Sequence, residues 1–118
     1  MNKIYYLSSC STCIRIIKEL NISTKNFILQ DIKTQKITPQ QLEELIGLSG
    51  SYESLFSRVA LKYRTLGLNE KNLTEKEYCS YILEEYTFLK RPVLLINNKI
   101  FIGNSKNTIA AAKAELSV

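Results

Sequence analysis

The sequence predicts an α/β fold with a four-stranded mixed sheet and a helical lobe inserted into its middle. Three observations support this prediction. A strand–helix–strand pattern spans 3–32, and two apolar segments around a short turn precede a final helix at the C-terminus. Between them, at about 36–88, the sequence shows only helical patterns. Because 118 residues is an ordinary size for one core, we treat 1–118 as a single domain with this insertion.

The N-terminal pattern is typical of a βαβ unit. Lys3–Leu7 predicts the first strand, Ser11–Leu20 a helix, and Asn26–Ile32 the second strand. Such a unit pairs its two strands in parallel through a right-handed crossover. Helical spacing places four residues on the inward face of the helix: Cys13, Ile14, Ile17 and Leu20.

Two capping boxes mark helices in the insertion. Thr38 is a typical N-cap, with Pro39 at the first helical position and Gln41 able to reach back to Thr38. We expect Gly47 to end that helix. Thr74–Glu77 forms the second box. Helical spacing behind it predicts a buried stripe: Tyr78, Cys79, Ile82, Leu83 and Tyr86.

The C-terminal pattern predicts a β-hairpin and a last helix. Pro92–Ile96 is a continuous apolar segment typical of a buried strand, and Asn97-Asn98 is a two-residue turn. Ile100–Ile102 returns as the second strand, and a helix follows at Lys106–Leu116. With the N-terminal unit, the hairpin completes a thioredoxin/glutaredoxin-like sheet that is half parallel and half antiparallel.

The composition restricts the cellular compartment and the classes of partner that we expect. No apolar segment approaches transmembrane length, and three cysteines are too few for a fold held by disulfides. The net charge is +5, but the basic residues are scattered, which favours a solvated basic surface over a nucleic-acid interface. We therefore expect a cytoplasmic protein without a membrane partner and without direct nucleic-acid binding.

The absence of histidine excludes several kinds of site. The chain has no histidine, so Cys–His nucleophile pairs and histidine metal sites are impossible. A zinc site made from the three thiols would lack a fourth ligand, and we expect no bound metal. A reactive cysteine in this chain must be activated by a helix N-terminus or by a cationic side chain.

Ser8–Cys13, at the turn from the first strand into the first helix, is the main candidate for chemistry. Cys10 is expected at the helix N-terminus, where unpaired N–H groups and the helix dipole stabilise a thiolate. Ser11 and Thr12, with the backbone N–H groups, are candidates to bind an anionic substrate. The alternative is a cysteine that lies in a turn without function.

The other two cysteines have different expected roles. Cys13 follows Cys10 by one helical turn, so it can act as the resolving thiol that attacks an adduct on Cys10. Its alternative role is the first apolar residue of the helix. Cys79 falls on a predicted buried stripe and is expected to be a core residue.

Arg91 and Pro92 precede the apolar strand of the hairpin. In a thioredoxin-like fold this segment lies beside the active cysteine, so Arg91 can bind an anion there or stabilise the Cys10 thiolate. The alternative is an ordinary surface arginine. The remaining arginines are expected to be solvated: Arg15, Arg58 and Arg64.

Four stretches together resemble the arsenate reductase family of thioredoxin-like proteins, which includes ArsC enzymes and Spx transcriptional regulators. The stretches are Tyr6–Cys13, Leu55–Leu68, Leu89–Pro92 and Phe101–Asn104. The resemblance covers nearly the whole chain, and it rests on the order and spacing of the four stretches.

The resemblance implies roles for three residues. Cys10 matches the catalytic cysteine that attacks arsenate and is then relieved by glutathione or glutaredoxin. Arg91 matches an arginine that binds the oxyanion, and Pro92 matches a cis-proline beside the site. No bound cofactor is implied, and glutathione/glutaredoxin or thioredoxin is the implied electron donor.

Two functions of different classes follow from the resemblance. The first is a thiol-dependent oxidoreductase in which Cys10 attacks an oxyanion or a small disulfide, with catalytic residues Cys10, Cys13 and Arg91 and a substrate site of Ser11, Thr12, Arg91 and Pro92. The second is a Spx-like regulator that binds the RNA polymerase α-subunit through a Cys10–Cys13 redox switch. Ser57 and Gly103, at positions where the glutathione-linked enzymes carry arginine, favour the second.

Overall fold

A four-stranded mixed sheet is the centre of the computed structural model, which describes residues 2–117. The strands are β1 (Asn2–Tyr6), β2 (Phe27–Asp31), β3 (Val93–Ile96) and β4 (Lys99–Ile102), in the spatial order β2-β1-β3-β4. β1 pairs in parallel with β2, whereas the pairs β1–β3 and β3–β4 are antiparallel. The predicted fold class is confirmed.

Five α-helices accompany the sheet within the described residues. They are α1 (Ser11–Glu19), α2 (Pro39–Ser49), α3 (Leu61–Thr65), α4 (Glu75–Glu84) and α5 (Lys106–Leu116). Short 3₁₀ turns lie at Glu53–Leu55, Leu68–Glu70 and Tyr86–Phe88. None of the helices in 2–117 combines the length and apolar character needed to span a membrane.

The chain divides into two compact units. The sheet unit contains Met1–Gln35 and Arg91–Val118, with the four strands, α1 and α5. The helical unit contains Lys36–Lys90, with α2, α3 and α4. The helical residues therefore interrupt the sheet unit in sequence, and the behaviour of 1–118 as a single domain stays a prediction.

The sheet unit has a continuous apolar core between the strands and the helices. β1, β2 and β3 contribute residues that are almost fully buried, because alternate positions of each strand face α1 and α5. The buried members are Ile4, Ile16, Leu20, Ile22, Phe27, Leu94, Ile96, Ile109 and Ala112. This core holds the N-terminus of α1 at the end of β1, where the cysteine motif begins.

The inward face of α1 differs from the predicted face. Cys13, Ile16 and Leu20 are buried, whereas Ile14 and Ile17 are only half-buried. Steps of three and four residues from Cys13 keep those three side chains on one line along the helix. Cys13 therefore belongs to the packed face, fully buried at its N-terminal end.

The structure confirms the capping boxes and corrects the end of α2. The Thr38 Oγ1 accepts from the Gln41 N–H, and the Gln41 Oε1 accepts from the Thr38 N–H, each at 3.1 Å. The prediction that Gly47 ends the helix was wrong. The helix continues to Ser49 and ends at Gly50, whose φ of 93° is a left-handed conformation that suits glycine.

The hairpin turn is found as predicted, and the predicted buried stripe of α4 is found in part. Asn97 and Asn98 have φ values of 51° and 64°, as a tight two-residue hairpin turn requires. In α4, Tyr78 and Ile82 are buried as predicted. Cys79 was expected to be a core residue, but its side chain is only half-buried.

Candidate functional site

A tight turn joins β1 to α1 and presents Cys10 at the helix start. The Cys10 N–H donates to the Leu7 carbonyl oxygen at 3.0 Å, which closes the turn. The Cys10 carbonyl oxygen accepts from the Ile14 N–H at 3.1 Å, and its extended φ and ψ of −93° and 113° make it the N-cap. The cysteine thus occupies the position at which helix amides have no partner within the helix.

Several groups act on the pKa of the half-buried Cys10 thiol, and the net result is a pKa below its ordinary value. Partial burial is the largest single influence and raises the pKa. It is outweighed by the Cys13 and Thr12 amides and the Cys13 thiol, which stabilise the thiolate, and the Arg91 charge adds a smaller contribution. As the N-cap, the Cys10 side chain makes no capping hydrogen bond. The amides lower the pKa because they stabilise the charged form of the thiol.

Cys13 is the opposite case. Burial raises the pKa of its thiol to about 11, because an apolar environment disfavours the thiolate. The hydrogen bond and the charge of Cys10 contribute to this rise, while a Leu7 backbone hydrogen bond and the Arg91 charge partly offset it. The two thiols contact each other, are not bonded as a disulfide, and differ strongly in acidity.

Arg91 and Pro92 lie in the sheet unit with the cysteines. The peptide bond between them is cis, as the family resemblance implied. Pro92 is buried just before β3, and its carbonyl oxygen accepts from the Gly103 N–H at 2.9 Å. The Arg91 charge acts on both cysteine thiols. Segments that are far apart in sequence therefore meet at the N-terminus of α1.

The predicted substrate residues Ser11 and Thr12 form the first turn of α1. Ser11 is exposed and Thr12 is half-buried. The Thr12 backbone N–H lowers the pKa of the Cys10 thiol by stabilising its thiolate. The first turn consequently offers amide donors and the exposed Ser11 hydroxyl to an anion bound at Cys10.

The other arginines are engaged elsewhere or exposed. Arg15 pairs with Glu19 along the solvent side of α1 at 3.8 Å. In the helical unit, Arg58 Nη2 contacts a Glu53 carboxylate oxygen at 2.6 Å and the Tyr78 hydroxyl at 2.9 Å. Arg64 is exposed on α3. The three arginines were expected to be solvated. Arg15 and Arg64 fit this expectation better than Arg58, whose guanidinium contacts both Glu53 and Tyr78.

Asp31 is a residue that the sequence reasoning missed. Its Oδ2 accepts from the Ser8 hydroxyl at 2.5 Å, two residues before Cys10 in the turn. The signal was available in principle, because parallel strands end at the same edge of a sheet and Asp31 is the last residue of β2. The register of β1 against β2, which pairs Tyr6 with Asp31, brings the carboxylate to the turn.

The difference in acidity between the two thiols predicts selective labelling. At pH 8 about one Cys13 in a thousand is a thiolate, given its pKa of about 11. Because the lowered pKa of Cys10 makes its thiolate available at a lower pH than an ordinary thiol, iodoacetamide should modify Cys10 and leave Cys13 unmodified. Peptide mass spectrometry against time measures this, and equal labelling of both cysteines would contradict the assignment.

Comparison with known proteins identifies the family of this chain. The sequence pattern of the ArsC family matches residues 5–112, which is most of the chain. The chain belongs to the ArsC family. The cysteine turn and the Arg91-Pro92 segment both lie inside the matched region.

Two regulators are similar to this ArsC-family chain in sequence, and a solved arsenate reductase is similar to it in fold. It is 24% identical over 108 residues to the global transcriptional regulator Spx 2 of Bacillus cereus, covering 90% of this chain and 82% of that protein. It is 27% identical over 101 residues to the regulatory protein MgsR of Bacillus subtilis, covering 84% and 79%. The solved structure of an arsenate reductase from Vibrio cholerae matches with a TM-score of 0.72 at 18% identity, covering 93% and 95%, a likeness in fold.

Proposed function

We propose that this chain is a thiol-dependent oxidoreductase in which Cys10 is the nucleophile and Cys13 the resolving thiol. The observation that carries the proposal is the opposite displacement of two contacting thiols, with the pKa of Cys10 lowered and that of Cys13 raised to about 11. Two-step thiol exchange requires one thiolate that attacks the substrate and a second, neutral thiol that reacts only after the adduct has formed.

With a disulfide substrate the reaction balances in two steps. The Cys10 thiolate attacks one substrate sulfur, a mixed disulfide forms, and the other substrate sulfur leaves as a thiolate. Cys13 then loses its proton and attacks the Cys10 sulfur, which releases the second substrate thiol and leaves a Cys10–Cys13 disulfide. The protein has lost two electrons and the substrate has gained two, and an external thiol or dithiol returns the protein to its reduced form.

The first step prepares the second. Among the causes of the raised Cys13 pKa are the hydrogen bond and the charge of Cys10. Both are lost when Cys10 becomes part of a neutral mixed disulfide, while the Arg91 charge that lowers the pKa of Cys13 remains. The pKa of Cys13 therefore falls once the adduct exists, which makes the resolving thiol easier to deprotonate in the second step, while burial continues to raise its pKa.

An oxyanion is the second substrate class that suits this site. Arg91, the backbone amides and the Ser11 and Thr12 hydroxyls at the start of α1 would hold the anion beside Cys10 and Pro92. With arsenate, Cys10 displaces one oxygen as water, and attack by Cys13 or an external thiol on the Cys10 sulfur releases arsenite and leaves a disulfide. Glutathione/glutaredoxin or thioredoxin would supply the electrons, and no bound cofactor takes part.

The test is turnover with each donor and each substrate. The purified chain should reduce a small disulfide such as hydroxyethyl disulfide, or arsenate, with glutathione/glutaredoxin or thioredoxin as the source of electrons. The Cys79→Ser variant is the matched control, because it removes a thiol of the helical unit and should leave the rate unchanged. No reduction of either substrate with any donor would contradict the enzyme proposal.

The regulatory relatives favour a second candidate function. Both curated relatives described above are named as regulators, and they match this chain over four fifths of its length or more. In this proposal the Cys10–Cys13 pair is a redox switch that changes binding to the RNA polymerase α-subunit. Binding should differ between the reduced chain and the chain oxidised with diamide, and Cys10→Ser should remove the difference. Equal binding in both forms would contradict it.

A further inference from the structure

A carboxylate on the neighbouring strand is tied to the turn that carries the cysteines. Asp31 Oδ2 accepts from the Ser8 hydroxyl at 2.5 Å, and Oδ1 accepts from the Lys33 N–H at 3.2 Å. The Ser8 N–H also donates to this carboxylate. A single side chain therefore joins the turn after β1 to the turn after β2.

Hydrogen bonds hold the turn between Asp31 and the Cys10 sulfur at both of its ends. Ser8 is the first interior residue of the turn that the Cys10 N–H closes onto the Leu7 carbonyl oxygen at 3.0 Å. The Asp31 end of the link is also anchored, because the Ile32 N–H donates to the Tyr6 carbonyl oxygen at 2.9 Å. A shift of Ser8 would be passed through one residue, Ser9, to Cys10.

We propose that Asp31 is a positioning residue that, through Ser8, holds Cys10 at the N-cap of α1, beside the backbone amides of the first helical turn. The hydrogen-bond partners of its carboxylate are Ser8 and Lys33, so the proposed action on Cys10 passes through the turn. The inference rests on the proposed role of Cys10 as the nucleophile, and it adds a residue to which neither the family match nor the predicted site assigns a function.

The charge of Asp31 and its positioning role should change the pKa of Cys10 in opposite directions. A carboxylate near a thiolate raises the pKa of the thiol by repulsion, so loss of its charge alone should lower the pKa of Cys10. Loss of positioning should raise that pKa, because the amide donors then align poorly with the sulfur. The sign of the change therefore separates the two effects.

The experiment measures the pKa of Cys10 from its alkylation rate against pH, followed by peptide mass spectrometry in a Cys79→Ser background. Asp31→Asn keeps the size of the side chain but loses a carboxylate acceptor, and we expect a rise of about 0.5 to 1 pH unit, or about 3- to 10-fold less thiolate at neutral pH. Ser8→Ala leaves the carboxylate charge in place and should give a smaller rise in the same direction, since the Ser8 N–H remains.

Controls keep the outcome decisive. Glu44→Gln removes an exposed carboxylate from α2 and should leave the pKa of Cys10 unchanged. An unchanged or lowered Cys10 pKa in Asp31→Asn would overturn the proposal, and Ser8→Ala decides by the same criterion if Asp31→Asn does not fold. Alkylation needs no substrate, so an ordinary pKa of about 8.5 in the parent chain would count against the proposed nucleophile instead.

Discussion

Replacing Cys10 with serine is expected to abolish thiol exchange, whereas replacing Cys13 with serine should stop the reaction after its first step. A serine hydroxyl is not ionised at neutral pH and forms no disulfide, so Cys10→Ser should lower turnover by about 10³-fold or more. Cys13→Ser keeps the nucleophile and removes the resolving thiol. The mixed disulfide between Cys10 and the substrate should then accumulate.

Intact-mass spectrometry distinguishes the two variants. After exposure to a small disulfide without reductant, Cys13→Ser should gain the mass of one substrate thiol, and Cys10→Ser should gain none. The parent chain should lose two hydrogens as its internal disulfide forms. Cys79→Ser, the matched control, should behave as the parent. Stable adducts on Cys13 in the Cys10→Ser variant would show that the order of attack is wrong.

Replacing Arg91 should separate an oxyanion substrate from a disulfide substrate. The Arg91 charge contributes less to the lowered pKa of Cys10 than the helix amides do, so Arg91→Ala should raise that pKa only slightly. A hydrogen-bonded charge pair with a bound oxyanion is worth about 1.5–3 kcal/mol. Arg91→Ala should therefore lower kcat/KM for arsenate by about 10- to 100-fold and leave the reduction of a neutral disulfide nearly unchanged.

Arg91→Lys is the conservative partner of this test. It keeps the positive charge and loses the planar pair of donors, so it should restore the pKa of Cys10 without restoring full activity on the oxyanion. Steady-state kinetics with arsenate and with hydroxyethyl disulfide provide both rates. Equal losses on the two substrates would contradict an anion-binding role and would point to damage of the cysteine turn.

Local patterns were predictable where neighbours in sequence decide the structure. Thr38 and Gln41 satisfy each other's backbone groups within one turn, so the start of α2 follows from four consecutive residues. Its end did not, because Gly47 and Gly50 are both candidates for the C-terminal cap. Glycine inside a helix costs about 1 kcal/mol relative to alanine, but tertiary context overrides such propensities, and the cap formed at Gly50.

The chemistry of the cysteines required the tertiary structure. The sequence alone placed Cys10 and Cys13 one helical turn apart at the end of a strand, which is enough to predict a thiol pair at a helix N-terminus. It did not determine that Cys13 is fully buried, where burial raises its pKa to about 11. Burial depends on how α1 packs in the folded chain, so this difference in acidity follows from the tertiary structure.

The same distinction applies to Arg91 and Asp31. The sequence determined that a cation precedes the third strand and that an acid lies in the second. Only the strand order β2-β1-β3-β4 brings both of their strands beside β1, the strand that leads to Cys10. The physical reason is that charge and hydrogen-bond effects depend on distances across the sheet, and the pairing of strands sets those distances.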